Sequence, residues 1–320
     1  KNGICLNLPL VAHSKMMVGL KRLYYKIVRG NAGEYEPKSG YPPTCQPNSL
    51  FENLYFQFRD WIWSFKIESV IKNMELENYD IYHLDWGLGL YRDARFISKL
   101  NNKKIICTYH GQDLRTRGVL PDIDKKSDLN LTSELDLLSK HPNIDYLFLP
   151  IDTNKYQGNT KDDNKIRICH SPTNRYYKGS EYIIPACKKL ASDYINVEFI
   201  LIENKTQEET IAIKSNCDIL IDQVEDRGGW GYGMSSVEAM AMGLCCATQM
   251  NKEYEDFIPN HPFININKNN IYQILSEFIN QPEKIENKKT QSQEWVRNNH
   301  DIQSVGDALY QYYKQIEAME

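Results

Sequence analysis

A chain of 320 residues is longer than one hydrophobic core usually serves, so two domains of α/β size are expected. Its formal charge of -4 excludes a nucleic-acid binder held by bulk electrostatics, and no apolar run approaches the roughly 18 residues of a membrane span. The eight cysteines follow neither metal nor disulfide spacing and several sit in apolar runs, so they read as reduced, buried thiols and the protein as cytoplasmic.

The N-terminal 33 residues hold six cations (Lys1, Lys15, Lys21, Arg22, Lys26, Arg29) and no acid. Within them, 15–29 (KMMVGLKRLYYKIVR) mixes five cations with Met, Leu and Tyr. That mixture suits either peripheral docking on an anionic inner membrane face or an ordinary surface helix, the reading favoured here. Residues 52–57 read ENLYFQ, a processing-protease site, but the amphipathic, aromatic FRDWIWSF that follows is unlike linker, and the segment is taken as native.

From residue 79 the chain alternates β-branched runs with helical segments. Strands are expected at 79–84, 104–109, 128–132 and 145–149, with an amphipathic helix over 91–100. Residues 152–165 (DTNKYQGNTKDDNK) are polar, rich in turn formers and unpatterned, and read as a linker. Beyond it, strands are expected at 167–170, 197–202, 218–222, 244–248 and 263–266, and helices at 181–193, 207–216, 235–242, 269–280 and 282–299. A last helix over 302–318 aligns Ile302, Val305, Leu309, Tyr312 and Ile316 on one stripe, packing on the second domain or crossing back to the first. Nearly continuous apolar strands between helices imply a doubly wound parallel sheet in each half. The expected domains are 1–151, a linker at 152–165, 166–301, and the terminal helix at 302–320.

Ligands of such sheets bind beyond the carboxyl ends of the strands, and the sequence is punctuated there. In 218–243 (DILIDQVEDRGGWGYGMSSVEAMAMG) a strand ends at Asp222-Gln223, and Gly228, Gly229, Gly231 and Gly233 precede a helix. Glycines admit close approach of backbone N–H groups to an anion, and a helix N-terminus adds unpaired donors. This is a diphosphate cradle. Ser235 and Glu238 equally fit an S-x-x-E capping box. In 170–179 (HSPTNRYYKG) Arg175 and Lys178 stand where two cations can neutralise a departing diphosphate, or form a solvated basic turn. In 109–115 (YHGQDLR) His110 can donate to a sugar hydroxyl and Asp113 can orient an acceptor, or both belong to a turn. Gly87-x-Gly89 is too short for a dinucleotide fingerprint, and Asp122-Ile-Asp124 lies in a loop after Pro121; no metal is assigned to it.

The succession HGQDLR, LPIDTNKY, HSPTNRYYKG, DILIDQ…GYGMSSVEAMAMG and WVRNNH resembles the retaining, group 1 (family four) GT-B glycosyltransferases over residues 79–318. The resemblance implies two Rossmann-like domains facing each other across a cleft, the second holding a nucleoside-diphosphate sugar. It places Arg175 and Lys178 on the diphosphate, Gly231 and Gly233 in the glycine loop, Glu238 on the ribose hydroxyls and His110 beside the donor sugar. With these, Gln223, Tyr232 and Ser235 complete the expected donor set, and Asp113 joins His110, Arg175 and Lys178 as catalytic. The implied activity is transfer of a sugar to a glycan, lipid-linked or other acceptor, in glycan or cell-surface polysaccharide synthesis, with no cofactor, metal or nucleic-acid partner. A silent nucleotide-sugar or glycan-binding subunit is the alternative. Two departures stand out. Trp230 occupies the place of a second glutamate eight residues before Glu238, and KNGICLNLPLVAH is a poor first strand.

Overall fold

The computed structural model describes residues 50–91, 93–111, 113–159 and 163–319. The 15–29 segment and KNGICLNLPLVAH lie outside the described residues. Those described form two compact units, one running up to Leu131 and including Ser139–Asp145, the other comprising Thr132–Leu138 and the chain from Tyr146 onward. No helix among them is long and apolar enough to cross a membrane.

The first described element of the first unit is helix α1 (Leu50–Asn73), into which ENLYFQ is built. Strands β1 (Ile81–Asp85) and β2 (Lys104–Tyr109) pair in parallel, Ile81 opposite Lys104 and Asp85 opposite Thr108. The short β3 (Leu129–Thr132) and β4 (Asp145–Tyr146) complete the sheet in the order β1-β2-β3-β4. Ile105, Ile106, Cys107 and Tyr109 of β2 are buried, as expected of a strand inside a parallel layer. Gly87, at φ 57°, lets the chain cross the Tyr109 ring: a Cβ there would stand 2.3 Å from it.

The helix expected over 91–100 does not form; only a 3-10 turn at Ile97–Lys99 does. Its physical reason is Asp93, whose carboxylate accepts from the Arg95 backbone N–H (3.1 Å) and guanidinium (2.8 Å to Nε), offering the chain a local alternative to helical bonds.

In the second unit β5 (Ile166–His170), β6 (Val197–Leu201), β7 (Ile219–Ile221), β8 (Cys245–Thr248) and β9 (Ile264–Asn265) form one parallel sheet in the order β6-β5-β7-β8-β9. Alternate side chains enter opposite cores. Cys169, Leu220 and Cys246 meet Val237, Met240 and Val296 on one face, while Ile168, Ile219, Ile221, Cys245 and Ala247 meet Ile183, Leu190 and Leu275 on the other. Burial of both faces explains why these strands read as unbroken apolar runs. Because β5 starts the sheet and the chain turns first to β6 and then to β7, the topological switch point falls between β5 and β7.

The expected linker is ordered at its start: Asp152 caps a 3-10 turn at Thr153–Lys155, and Ile151 bridges to Asp301. Asp301 also caps the terminal helix Ile302–Gln315, in which Val305 is buried while Ile302 stays exposed. Beside this tie His300 is buried. Its Nδ1 lies 2.8 Å from the Leu149 carbonyl, which only accepts, so Nδ1 carries the proton and Nε2 accepts from the Tyr232 hydroxyl at 3.0 Å. Phe148, Phe263 and Trp295 surround the pair.

Burial lowers the His300 pKa from 6.5 to about 4. The unfolded chain therefore takes up a proton first as pH falls. Stability should be full above about pH 6.5 and decline towards pH 4, by up to about 3 kcal/mol, since every tenfold loss of proton affinity on folding is worth about 1.4 kcal/mol. Urea unfolding across this window should show that slope in the wild type and a shallower one in His300→Phe.

Candidate functional site

The site of the second unit is assembled around Asp222, at the carboxyl end of β7. Upstream, His170 ends β5 and is buried; its Nδ1 donates to the Ile221 carbonyl (2.8 Å) and its Nε2 accepts from Ser180 Oγ (2.8 Å). Burial lowers its pKa, and it acts as a neutral weld between β5, β7 and the helix Ser180–Asp193. Asn174 then caps a short helix, Arg175–Lys178, accepting from the N–H of Tyr176 at 2.9 Å. Gly179 ends it at φ 67°, where a Cβ would stand 2.7 Å from Val224. That corner delivers Lys178 to the switch point.

There Lys178 Nζ pairs with Asp222 Oδ1 and donates to Gln223 Oε1 at 3.2 Å. Asp222 Oδ2 accepts from the Gly233 N–H at 2.9 Å and from Ser236 Oγ at 2.8 Å. Burial opposes ionisation of Asp222, but the Lys178 ammonium and these hydrogen bonds outweigh it and hold the carboxyl below its usual range. Gly233 is the N-cap of the helix Met234–Ala241 and receives no side-chain cap of its own. Asp222 thus supplies the negative charge that a helix N-terminus favours. Gln223 is fixed in turn by donating to the Gly229 carbonyl at 2.8 Å.

Arg175, exposed, forms a two-pronged pair with Glu203 beyond the end of β6, at 2.6 and 2.5 Å. Gly231 sits at φ 69°, with no room for a Cβ against Tyr254 (2.6 Å), and its carbonyl accepts from Thr248 Oγ1 at 2.6 Å. The loop between β7 and the helix is therefore held by β8 as well as by Asp222. Trp230 packs against the adjacent core, and no carboxylate occupies that place.

Three expectations are corrected. Ser235 and Glu238 do not form a capping box, because the helix starts at Met234, which makes Ser235 its second residue and Glu238 its fifth. Instead both face Lys214, whose Nζ lies 2.8 Å from Ser235 Oγ and 3.1 Å from Glu238 Oε2, with only 2% of the lysine side chain exposed. The Tyr232 side chain is not turned to a ligand: its hydroxyl is spent on His300 and its ring on the aromatic cluster. Asp113 is buried, and its Oδ1 accepts from the backbone N–H of His110 (2.8 Å) and Leu114 (2.6 Å), so it shapes a turn.

The sequence left Lys214 unremarked, although a lysine at the end of the amphipathic TIAIK segment was the available sign of an inward cation. Gln207 Nε2 approaches Glu238 Oε1 at 3.4 Å. Burial, followed by the neighbouring Glu238 carboxylate, raises the Tyr156 phenol pKa. Tyr156 belongs to the stretch read as linker.

In the first unit His110 follows β2, and its Nε2 lies 2.9 Å from Asp85 Oδ1 at the end of the adjacent β1. A carboxylate only accepts, so that nitrogen carries the proton and the imidazole has a set orientation. Asp85 was also missed, since its partner is 25 residues away. Of the Asp-Ile-Asp tripeptide, Asp124 pairs with His141 at 2.8 Å. Among the described residues no three His, Cys, Asp or Glu side chains are grouped to hold a metal.

The Lys214–Glu238 pair gives a sharp expectation. Glu238→Gln leaves a buried ammonium without its counter-charge and should cost about 3 kcal/mol in urea unfolding. Adding Lys214→Met should recover most of that loss, and a Glu238→Gln protein as stable as wild type would show the pair to be idle.

No protein-family model matches the sequence, and no curated protein matches it. Solved structures do match in fold. Anabaena HepE in complex with UDP and glucose is similar at 12% identity over 78% of this chain and 80% of that chain, TM-score 0.55. Sucrose-phosphate synthase from Thermosynechococcus elongatus is similar at 13% identity over 95% and 94%, TM-score 0.56. A glycosyltransferase from Rickettsia africae is similar at 14% identity over 92% and 87%, TM-score 0.56. With the sheets described above, these likenesses establish the fold as the α/β, Rossmann-like architecture of GT-B glycosyltransferase structures.

Proposed function

We propose that this protein is a glycosyltransferase that takes a sugar from a nucleoside-diphosphate donor and passes it, with retention, to a glycan or lipid-linked acceptor. The observation that carries the reading is the meeting of Lys178, Gln223 and the Gly233 N–H around Asp222 at the switch point of a parallel sheet. One cation, one amide and one backbone donor converge there, where an open α/β sheet binds its ligand. Support comes from the shared fold of HepE, whose structure holds UDP and glucose.

In this reading the bond between the sugar C1 and the diphosphate oxygen breaks, and the electron pair leaves with the diphosphate. Arg175 turns from Glu203 to the growing phosphate charge, while Lys178 stays on Asp222 and offers the phosphate its remaining N–H. The acceptor hydroxyl oxygen bonds to C1 on the face the phosphate leaves, and its proton passes to a phosphate oxygen. Glu238 takes the ribose hydroxyls through the oxygen that faces Gln207, the other being held by Lys214. In the first unit His110, oriented by Asp85, is set to donate to a sugar hydroxyl. The side chains supply the positive charge, so activity should survive EDTA.

The test is release of nucleoside diphosphate from a panel of nucleotide sugars, UDP-glucose first, with and without extracted glycolipid. Arg175→Ala should weaken nucleoside-diphosphate affinity about tenfold, measured by calorimetry, with the melting temperature kept, because its side chain is exposed. Lys178→Ala is the poorer probe, since it strands buried Asp222 and should destabilise the fold. His110→Ala should lower transfer while nucleoside-diphosphate binding stays at the wild-type value. Tight nucleotide binding without turnover on any donor would instead favour a silent binding subunit.

A further inference from the structure

Among the described side chains of helix α1, the buried ones lie near its C-terminal end. Ile67 and Ile71 enter the core of the first unit, at 4% and 6% exposure. Ahead of them Phe51 (75% exposed), Leu54 (60%), Phe58 (55%), Trp61 (59%) and Phe65 (68%) stand in solvent. They recur at alternating steps of three and four residues, which puts them on a single stripe with the 3.5-residue period of a coiled-coil seam. Adjacent rings touch: Phe58 and Trp61 centroids are 6.0 Å apart, and Trp61 meets Phe65 edge-on at 5.6 Å.

Large side chains of this kind bury about 150–250 Å² each, so at these exposures the stripe offers on the order of 600 Å². That matches the largest apolar patch of a typical monomer, concentrated here on one helix face. Two such stripes pressed together remove about 1,200 Å² from water, the threshold of a specific interface. Charge selects between occupants. The helix carries three acidic and three basic residues, so it has no net attraction for anionic headgroups, where each extra cation is worth about 1 kcal/mol. A seam spaced at three and four residues is complemented by another helix of the same period, and a second copy of α1 supplies one in an isologous pair.

We propose that α1 is a dimerisation helix, pairing the Phe51–Phe65 stripe of one chain with that of a second copy. The inference is independent of the catalytic reading, because oligomeric state needs no substrate.

Light scattering on the eluting 320-residue chain at about 50 μM should give twice the 37.4 kDa chain mass. Trp61→Glu and Phe58→Glu should each return the mass to that of one chain, with helicity held, because Ile67 and Ile71 still anchor the helix. Trp61→Leu, which keeps the seam apolar, should remain dimeric. A wild-type chain of single mass overturns the proposal, and its sedimentation with phosphatidylserine vesicles would then assign the stripe to lipid. Glutamate variants that still elute at twice the mass overturn it as well.

Discussion

Asp222 is a buried carboxylate, and such a group survives only where charge and hydrogen bonds replace the water it has lost. Lys178 provides that replacement from the corner after β5, and Gly233 and Ser236 provide it from the start of the helix after β7. The pair therefore does more than neutralise charge. It fixes the corner after β5, the end of β7 and the first turn of the following helix to one another. Every proposed donor contact in the second unit is placed relative to this point.

A second buried pair lies one helical turn further on, and the two differ in kind. Lys178 keeps some access to solvent, whereas Lys214 has almost none. A lysine with solvent access can keep its acid partner and still offer an N–H to an incoming anion. An enclosed lysine cannot leave without exposing an uncompensated charge. This difference suits Lys178 to the ligand role proposed for it, while Lys214 holds Glu238 and Ser235 in place.

The first unit uses the same strand-end logic with fewer constraints. His110 and Asp85 end adjacent parallel strands, and Asp113 fixes the turn that presents His110 by taking two backbone N–H groups. A histidine oriented by a carboxylate is prepared to donate in one direction. The apolar stripe on α1 has no such polar preparation and belongs to recognition of another surface rather than to chemistry.

Much of this was legible in the residues alone. The parallel sheet of the second unit follows from apolar runs such as 218–222, because strands covered on both faces tolerate no polar alternation. The glycine loop before Met234 and the basic pair Arg175 and Lys178 were visible because both are local in sequence. Tertiary structure decided what those groups face. Lys178 meets Asp222 across 44 residues and Lys214 meets Glu238 across 24, and no local pattern encodes a partner at such separation. The same limit explains why Ser235 and Glu238 mimicked a capping box whose helix begins elsewhere. The failure at 91–100 is different in kind, a local one, because the Asp93 side chain took the backbone N–H of Arg95 two residues on. Periodicity is a property of neighbours along the chain; the pairing of a buried charge is a property of the space the folded chain encloses.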